Sequence, residues 1–271
     1  MEKNNGKDRI TITLRKDLLP LLDKFVDGER IRNRSHAIEY ILGQHLGLGI
    51  EQAVIFAGAD TAHTVHTLTQ IRHRPIIGYI FDMLKNHGIR NIIFVVDEYG
   101  TPLREYIGDG KQWGLHVEYV QGPHAEGTGS TLTLVKPLIH QTFLLLYSDV
   151  LADINLSDYV EHHRQSEAVG TVALTYKKSP EHYGVARMEG NKIVEYVEKP
   201  GEDSKHGLVN AGIYVFEPEI FEYLTSDAVS LEKDVLPQVA KTGYLIGYPF
   251  QGKWFDISKN TGLQTAEREW V

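Results

Sequence analysis

Residues 143–149 read Phe-Leu-Leu-Leu-Tyr-Ser-Asp. A short, continuous apolar run of this kind describes a strand buried on both faces. Asp149 stands at its carboxyl end. Two similar runs precede it, Ala53-Val54-Ile55-Phe56-Ala57 and Asn91-Ile92-Ile93-Phe94-Val95-Val96. Between those two, Ile76, Ile77, Tyr79, Ile80, Met83 and Leu84 fall on one helical face. Strands alternating with helices predict a doubly wound α/β domain with a mainly parallel sheet over residues 50–271. Ligands gather at the carboxyl ends of such strands, which makes Asp149 a candidate site residue.

Upstream, the pattern is different. Ile10, Ile12 and Leu14 alternate with Arg9, Thr11 and Thr13, the period of a strand with one apolar and one polar face. Leu18, Leu19, Leu21, Leu22, Phe25 and Val26 then recur at helical spacing, with Pro20 in the first turn and Gly28 as a stop. A second helix is expected to start at Ser35, its cap, and to carry Ala37, Ile38, Ile41, Leu42 and Leu46. One strand and two short helices cannot bury this much apolar surface alone. An identical chain is the simplest partner, so residues 1–49 read as a small dimerisation domain.

Composition sets further bounds. The chain has 271 residues, 42% hydrophobic and 24% charged, enough for one sizeable domain and an accessory unit. It has no cysteine, which excludes disulfides, thiolate metal sites and cysteine nucleophiles. No window approaches the ~18 consecutive apolar residues of a membrane span. The polar start MEKNNGKDR lacks a signal-peptide core, so a cytoplasmic location is expected. Residues 1–50 carry nine Lys and Arg against seven Asp and Glu; subtracted from totals of 28 and 36, this leaves 19 basic and 29 acidic residues beyond. Any polyanion contact therefore falls to the N-terminal unit.

The N-terminal pattern resembles the ribbon–helix–helix repressors, with Arg-Ile-Thr-Ile-Thr-Leu as the strand. That resemblance implies that Arg9, Thr11 and Thr13 read bases of a double-stranded DNA operator. It also implies that Arg34 and the Ser35 backbone grip a phosphate. A module that only assembles the chain is the competing reading.

The larger part resembles the sugar-1-phosphate nucleotidyltransferases, among them the glucose-1-phosphate thymidylyltransferases and mannose-1-phosphate guanylyltransferases. The blocks that carry this are Tyr183-Gly184-Val185, Glu198-Lys199-Pro200, Val209-Asn210-Ala211-Gly212-Ile213-Tyr214 and Gly252-Lys253-Trp254-Phe255-Asp256-Ile257. The resemblance implies that Asp149 and Asp256 hold Mg²⁺ when a nucleotide or nucleotide sugar is bound. It assigns Gly184, Glu198, Lys199 and Asn210 to the sugar phosphate. It assigns the loop at Gly127, Thr128, Gly129 and Ser130 to the nucleotide base.

The family's opening Gly-rich loop, of the form GGxGTR and followed by Pro-Lys, is altered here. It reads Ala57-Gly58-Ala59-Asp60-Thr61-Ala62-His63, in which Gly58 keeps a place in the phosphate cradle. His63 stands where Arg is expected, and Arg74 can fill only one of two downstream Lys positions. Losing one charge-stabilising donor commonly costs ~10²–10³ in rate. The reading that follows is a DNA-binding transcription regulator, a homodimer or tetramer. Its impaired pocket senses a nucleotide, a nucleotide sugar or a sugar phosphate. The alternative is an active, Mg²⁺-dependent sugar-1-phosphate nucleotidyltransferase.

Overall fold

The computed structural model describes residues 10–26, 28, 31–45, 50–57, 66–97, 100–122, 127–201, 206–225 and 227–270. The chain divides into two compact units, Met1–Leu46 and Gly47–Val271.

In the first unit, a single 3-10 turn, Lys16–Leu18, leads into α1 (Leu19–Asp23), with Pro20 in its first turn. The second helix is α2 (Arg34–His45). Leu22 and Ala37 are buried, and Phe25 meets Tyr40 at 6.4 Å between ring centroids. Two expectations are corrected, and a third, the paired strand, is not tested by a single chain. The helix over Leu18–Val26 is shorter than its apolar spacing suggested. Thr11 and Thr13 lie in a stretch, Ile10–Arg15, that forms no strand in the single chain; a ladder needs a partner. Ser35 is inside α2, and the Asn33 side chain caps it instead, accepting the His36 N–H at 2.9 Å. Arg9 lies outside the described residues.

The second unit is built on a nine-stranded sheet. Four strands run parallel: β1 (Gln52–Phe56), β4 (Asn91–Val96), β5 (His116–Gln121) and β6 (Phe143–Tyr147), in the order β5-β4-β1-β6. A small ladder of β2 (Gln70–Ile71) and β3 (Arg74–Pro75) precedes α3 (Ile76–Asn86). The sheet continues through β11 (Gly207–Phe216), β8 (Gly170–Lys177), β12 (Leu245–Pro249), β10 (Lys192–Glu198) and β9 (Gly184–Glu189). In this half every pairing except β8 with β12 is antiparallel, so the sheet is mixed rather than mainly parallel. Two short strands, β7 (Val150–Ala152) and β13 (Trp254–Asp256), form a separate antiparallel ladder.

Alternation along the strands makes two cores. Ile55, Phe94, Leu144 and Leu146 face one layer, with α3, α4 (Thr101–Ile107), α6 (Leu156–Gln165) and α8 (Asn260–Glu269). Val54, Ile93, Phe143 and Leu145 face the other, with α5 (Thr128–Val135) and α7 (Leu236–Thr242). Burial on both faces is the reason these strands read as unbroken apolar runs. No helix among the described residues is long and apolar enough to cross a membrane.

Candidate active site

The β6 strand delivers Asp149. The following turn is anchored where the Ser148 N–H donates to the Phe56 carbonyl at 3.1 Å and the buried Thr67 hydroxyl donates to Ser148 Oγ at 2.6 Å. The β7–β13 ladder then sets Asp256 opposite Val150, and the Ile257 N–H donates to the Asp149 carbonyl at 2.9 Å. Two carboxylate residues 107 positions apart in the chain thus become neighbours. Among the described residues no group of three or more His, Cys, Asp or Glu converges to hold an ion unaided. Carboxylates are hard oxygen donors of the kind that suit Mg²⁺.

Trp254 fixes this ladder to the sheet, its indole N–H donating to the Ala211 carbonyl at 2.9 Å. Tyr183 packs edge-on against Trp254 at 5.5 Å. Burial first, and the Asp256 charge second, push the Tyr183 phenol well above its ordinary range, so it is a neutral hydroxyl beside Asp256. Asp256 Oδ1 accepts the Ser258 N–H at 3.1 Å, and Lys259 Nζ lies 3.7 Å from Oδ2.

The sugar-side residues meet at one end of the β9–β10 hairpin. Gly184 pairs with Glu198 in the ladder, and the Lys199 N–H donates to the Tyr183 carbonyl at 3.1 Å. Gly184 is required by close approach: a Cβ there would lie 2.5 Å from Tyr196 Cζ and 2.6 Å from Glu198 Oε2. Lys199 adopts φ +50°, a left-handed conformation rare for a non-glycine residue, at the point where the chain leaves β10. Burial, reinforced by Glu232, raises the Glu198 carboxyl above its usual range, and Lys199 acts in opposition.

Asn210 is held by hydrogen bonds within the protein. Its Nδ2 donates to the Tyr196 hydroxyl at 2.9 Å and the Tyr214 hydroxyl at 2.6 Å, and its Oδ1 accepts the Gly212 N–H at 3.0 Å. The bulge between Asn210 and Tyr214, with Gly212 at φ +72°, makes that possible. Asn210 therefore organises two tyrosines and keeps one oxygen lone pair.

The segment Gly127–Ser130 is not a plain loop. Only Gly127 precedes the helix, and Thr128 opens α5. A Cβ on Gly127 would sit 2.5 Å from the Val229 carbonyl, and one on Gly129 would sit 2.8 Å from the Ala228 carbonyl, so these glycines let two backbones touch. Thr128 Oγ1 donates to Glu232 Oε2 at 2.6 Å and accepts the Leu231 N–H at 2.9 Å. Gly58 and His63 lie outside the described residues.

Several residues here carried no sequence signal of their own. Glu232 receives the hydroxyls of Thr128, Ser230, Tyr147 and Tyr214, joining elements far apart in the chain. Lys177 and Lys259 look like ordinary surface charges in the sequence. Their one visible cue is position, at the end of β8 and three residues past Asp256.

Residues 61–270 match the model of the family described as Nucleotidyl transferase. Among curated proteins, the mannose-1-phosphate guanylyltransferase catalytic subunit beta of Danio rerio is 29% identical over 205 residues, covering 73% of this chain and 57% of that protein. The UTP–glucose-1-phosphate uridylyltransferase of Synechocystis sp. is 30% identical over 234 residues, covering 76% and 59%. The chain thus spans well under two thirds of the length of these relatives. A crystal structure of a candidate glucose-1-phosphate thymidylyltransferase from Bacillus anthracis, in complex with a sucrose, superposes with TM-score 0.72 at 23% identity, covering 80% of this chain and 94% of that one. At that identity it speaks for the fold alone.

These findings overturn the expectation of a catalytically impaired, DNA-binding transcription regulator. The relatives are named as transferases, and the family match begins at residue 61, inside the altered loop. In the N-terminal unit, Arg34 makes a two-pronged surface ion pair with Asp23, both bonds 2.7 Å. The chain belongs to the nucleotidyl transferase family, through residues 61–270 within its larger unit.

Proposed function

We propose that the protein is an active, Mg²⁺-dependent sugar-1-phosphate nucleotidyltransferase. The observation that carries this reading is the adjacency of Asp149 and Asp256 beside the Gly184–Glu198–Lys199 cluster. In the reaction, a phosphate oxygen of the sugar 1-phosphate attacks the α-phosphorus of a nucleoside triphosphate. The bond from that phosphorus to the β-phosphate oxygen breaks, and pyrophosphate leaves with the electron pair. Asp149 and Asp256 would hold Mg²⁺, which would supply neutralisation of phosphate charge.

The residues of the chain do the positioning. Gly184 lets Tyr196 and Glu198 close against the backbone at the sugar end, Glu198 accepts from sugar hydroxyls, and Lys199 faces the phosphate. Gly58 and the start of α5 at Gly127 and Thr128 receive the nucleotide. Tyr147, Tyr196 and Tyr214, held by Asn210 and Glu232, form a rigid floor. The reverse reaction tests this reading: pyrophosphate plus a nucleotide sugar should yield the nucleoside triphosphate in the presence of Mg²⁺. No triphosphate from UDP-, GDP- or dTDP-sugars would contradict it.

For the N-terminal unit we propose assembly. Ile10 and Ile12 are 71% and 46% exposed in the single chain, and their alternation suits pairing with a second copy in a ribbon–helix–helix arrangement. Light scattering of an Ile12→Glu variant, expected to be monomeric at that unit, tests it.

A further inference from the structure

We propose that Lys177 and Lys259 form a phosphate-binding pair that grips the sugar 1-phosphate and supplies positive charge the altered Gly-rich loop lacks. The inference rests on the transferase reading above and adds two residues to it. The stretch Ala57–His63 contains no Lys or Arg. Arg74, the sequence's candidate replacement, is held elsewhere: it pairs with Asp82 at 2.6 Å, donates to the Gly78 carbonyl at 2.7 Å and lies over the Tyr79 ring at 4.9 Å. Arg72 donates to the Arg268 carbonyl at 3.1 Å.

The two lysines are seated quite differently. Lys259 Nζ sits 3.6 Å from the centre of the Tyr183 ring, and Lys177 Nζ sits 4.6 Å from the centre of the Trp254 ring. Those rings pack against each other, so both ammonium groups are carried on one aromatic pair. Both feel the Asp256 charge; Lys177 also feels Lys259, and Lys259 feels Lys199 and Glu181. Two half-buried ammonium groups thus flank Asp256, with Glu181 also acting on Lys259, beside the sugar-phosphate cluster. A bridging phosphate dianion would satisfy their remaining donors.

The experiment is calorimetric binding of inorganic phosphate and of mannose 1-phosphate to the full chain in Mg²⁺-free buffer. Tryptophan fluorescence, to which Trp113 and Trp270 also contribute, gives a second readout. Lys177→Met and Lys259→Met should each weaken binding about ten-fold or more, the loss of a charge-assisted contact. Lys259→Arg should retain most of it. Equal affinities in wild type and both Met variants, or no measurable binding by the wild type, would overturn the inference. If the wild type turns over substrate while the variants bind phosphate unchanged, this inference fails and the transferase reading stands. If phosphate binding depends on the lysines but no nucleotide sugar is ever made, the transferase reading fails and the lysine site stands.

Discussion

Thr128 and Glu232, 104 residues apart in the chain, are joined by a 2.6 Å hydrogen bond that ties the first turn of α5 to the π-turn Leu231–Val235. The same carboxylate takes the hydroxyls of Tyr147 and Tyr214. One side chain therefore braces the proposed base and sugar ends of the cleft. Glu232→Leu should leave buried hydroxyls without an acceptor and cost roughly 2–4 kcal/mol in urea unfolding. Thr128→Val, which removes two bonds, one to Glu232 and one from the Leu231 N–H, should cost about 1–2 kcal/mol. Equal losses from the two variants would contradict the bracing role.

Gly184→Ala tests the pocket wall. The added methyl meets Tyr196 and Glu198, both set in the β10 strand, and backbone or ring must shift. The expected result is a raised KM for the sugar phosphate, little change in KM for the nucleotide, and about 1–3 kcal/mol of lost stability from overpacking. An unchanged KM for the sugar phosphate would remove Gly184 from the pocket.

Glu198 gives a pH prediction. Burial raises its carboxyl pKa in the folded protein above the unfolded value, with Glu232 adding to the effect. A folded pKa above the unfolded one means the stability this group contributes is fully present below the unfolded pKa. That stability is lost as pH rises through the folded pKa. Glu198→Gln should therefore melt higher than wild type at neutral pH, and the gap should close on acidification through the carboxylate range. The same variant should bind sugar phosphate more weakly, a trade of stability for recognition. A gap that widens toward low pH would show the sign to be wrong.

Much of the parallel half was legible in the sequence. β4 and β6 end where their apolar runs end, because strands buried on both faces leave no polar position to blur the boundary. The antiparallel half was hidden. β10 reads Lys-Ile-Val-Glu-Tyr-Val-Glu with one face wet, and β11 is broken by the Asn210–Tyr214 bulge, so neither gives an unbroken run. The expected strand of the N-terminal unit is not formed in the single chain, where it has no partner: period-two alternation states which face is apolar, not what will pair with it. At the site, the motif residues Asp149, Asp256, Gly184, Glu198 and Lys199 could be named, because each stands in a short block with a recognisable order. Glu232, Lys177 and Lys259 could not be named. Their roles come from partners that only the fold brings near, such as the Tyr183 and Trp254 rings.

The carboxylate pair carries the central claim, and pyrophosphate release tests it most directly. Purified protein would be supplied with Mg²⁺, each of the common nucleoside triphosphates, and glucose 1-phosphate or mannose 1-phosphate. The account predicts release with at least one pair, abolished by chelation and reduced ~10²-fold or more in Asp149→Ala and Asp256→Ala, in the range for loss of an electrostatic stabiliser. Release that persists unchanged in both variants, or no release with any pair from the folded wild-type protein, would contradict it.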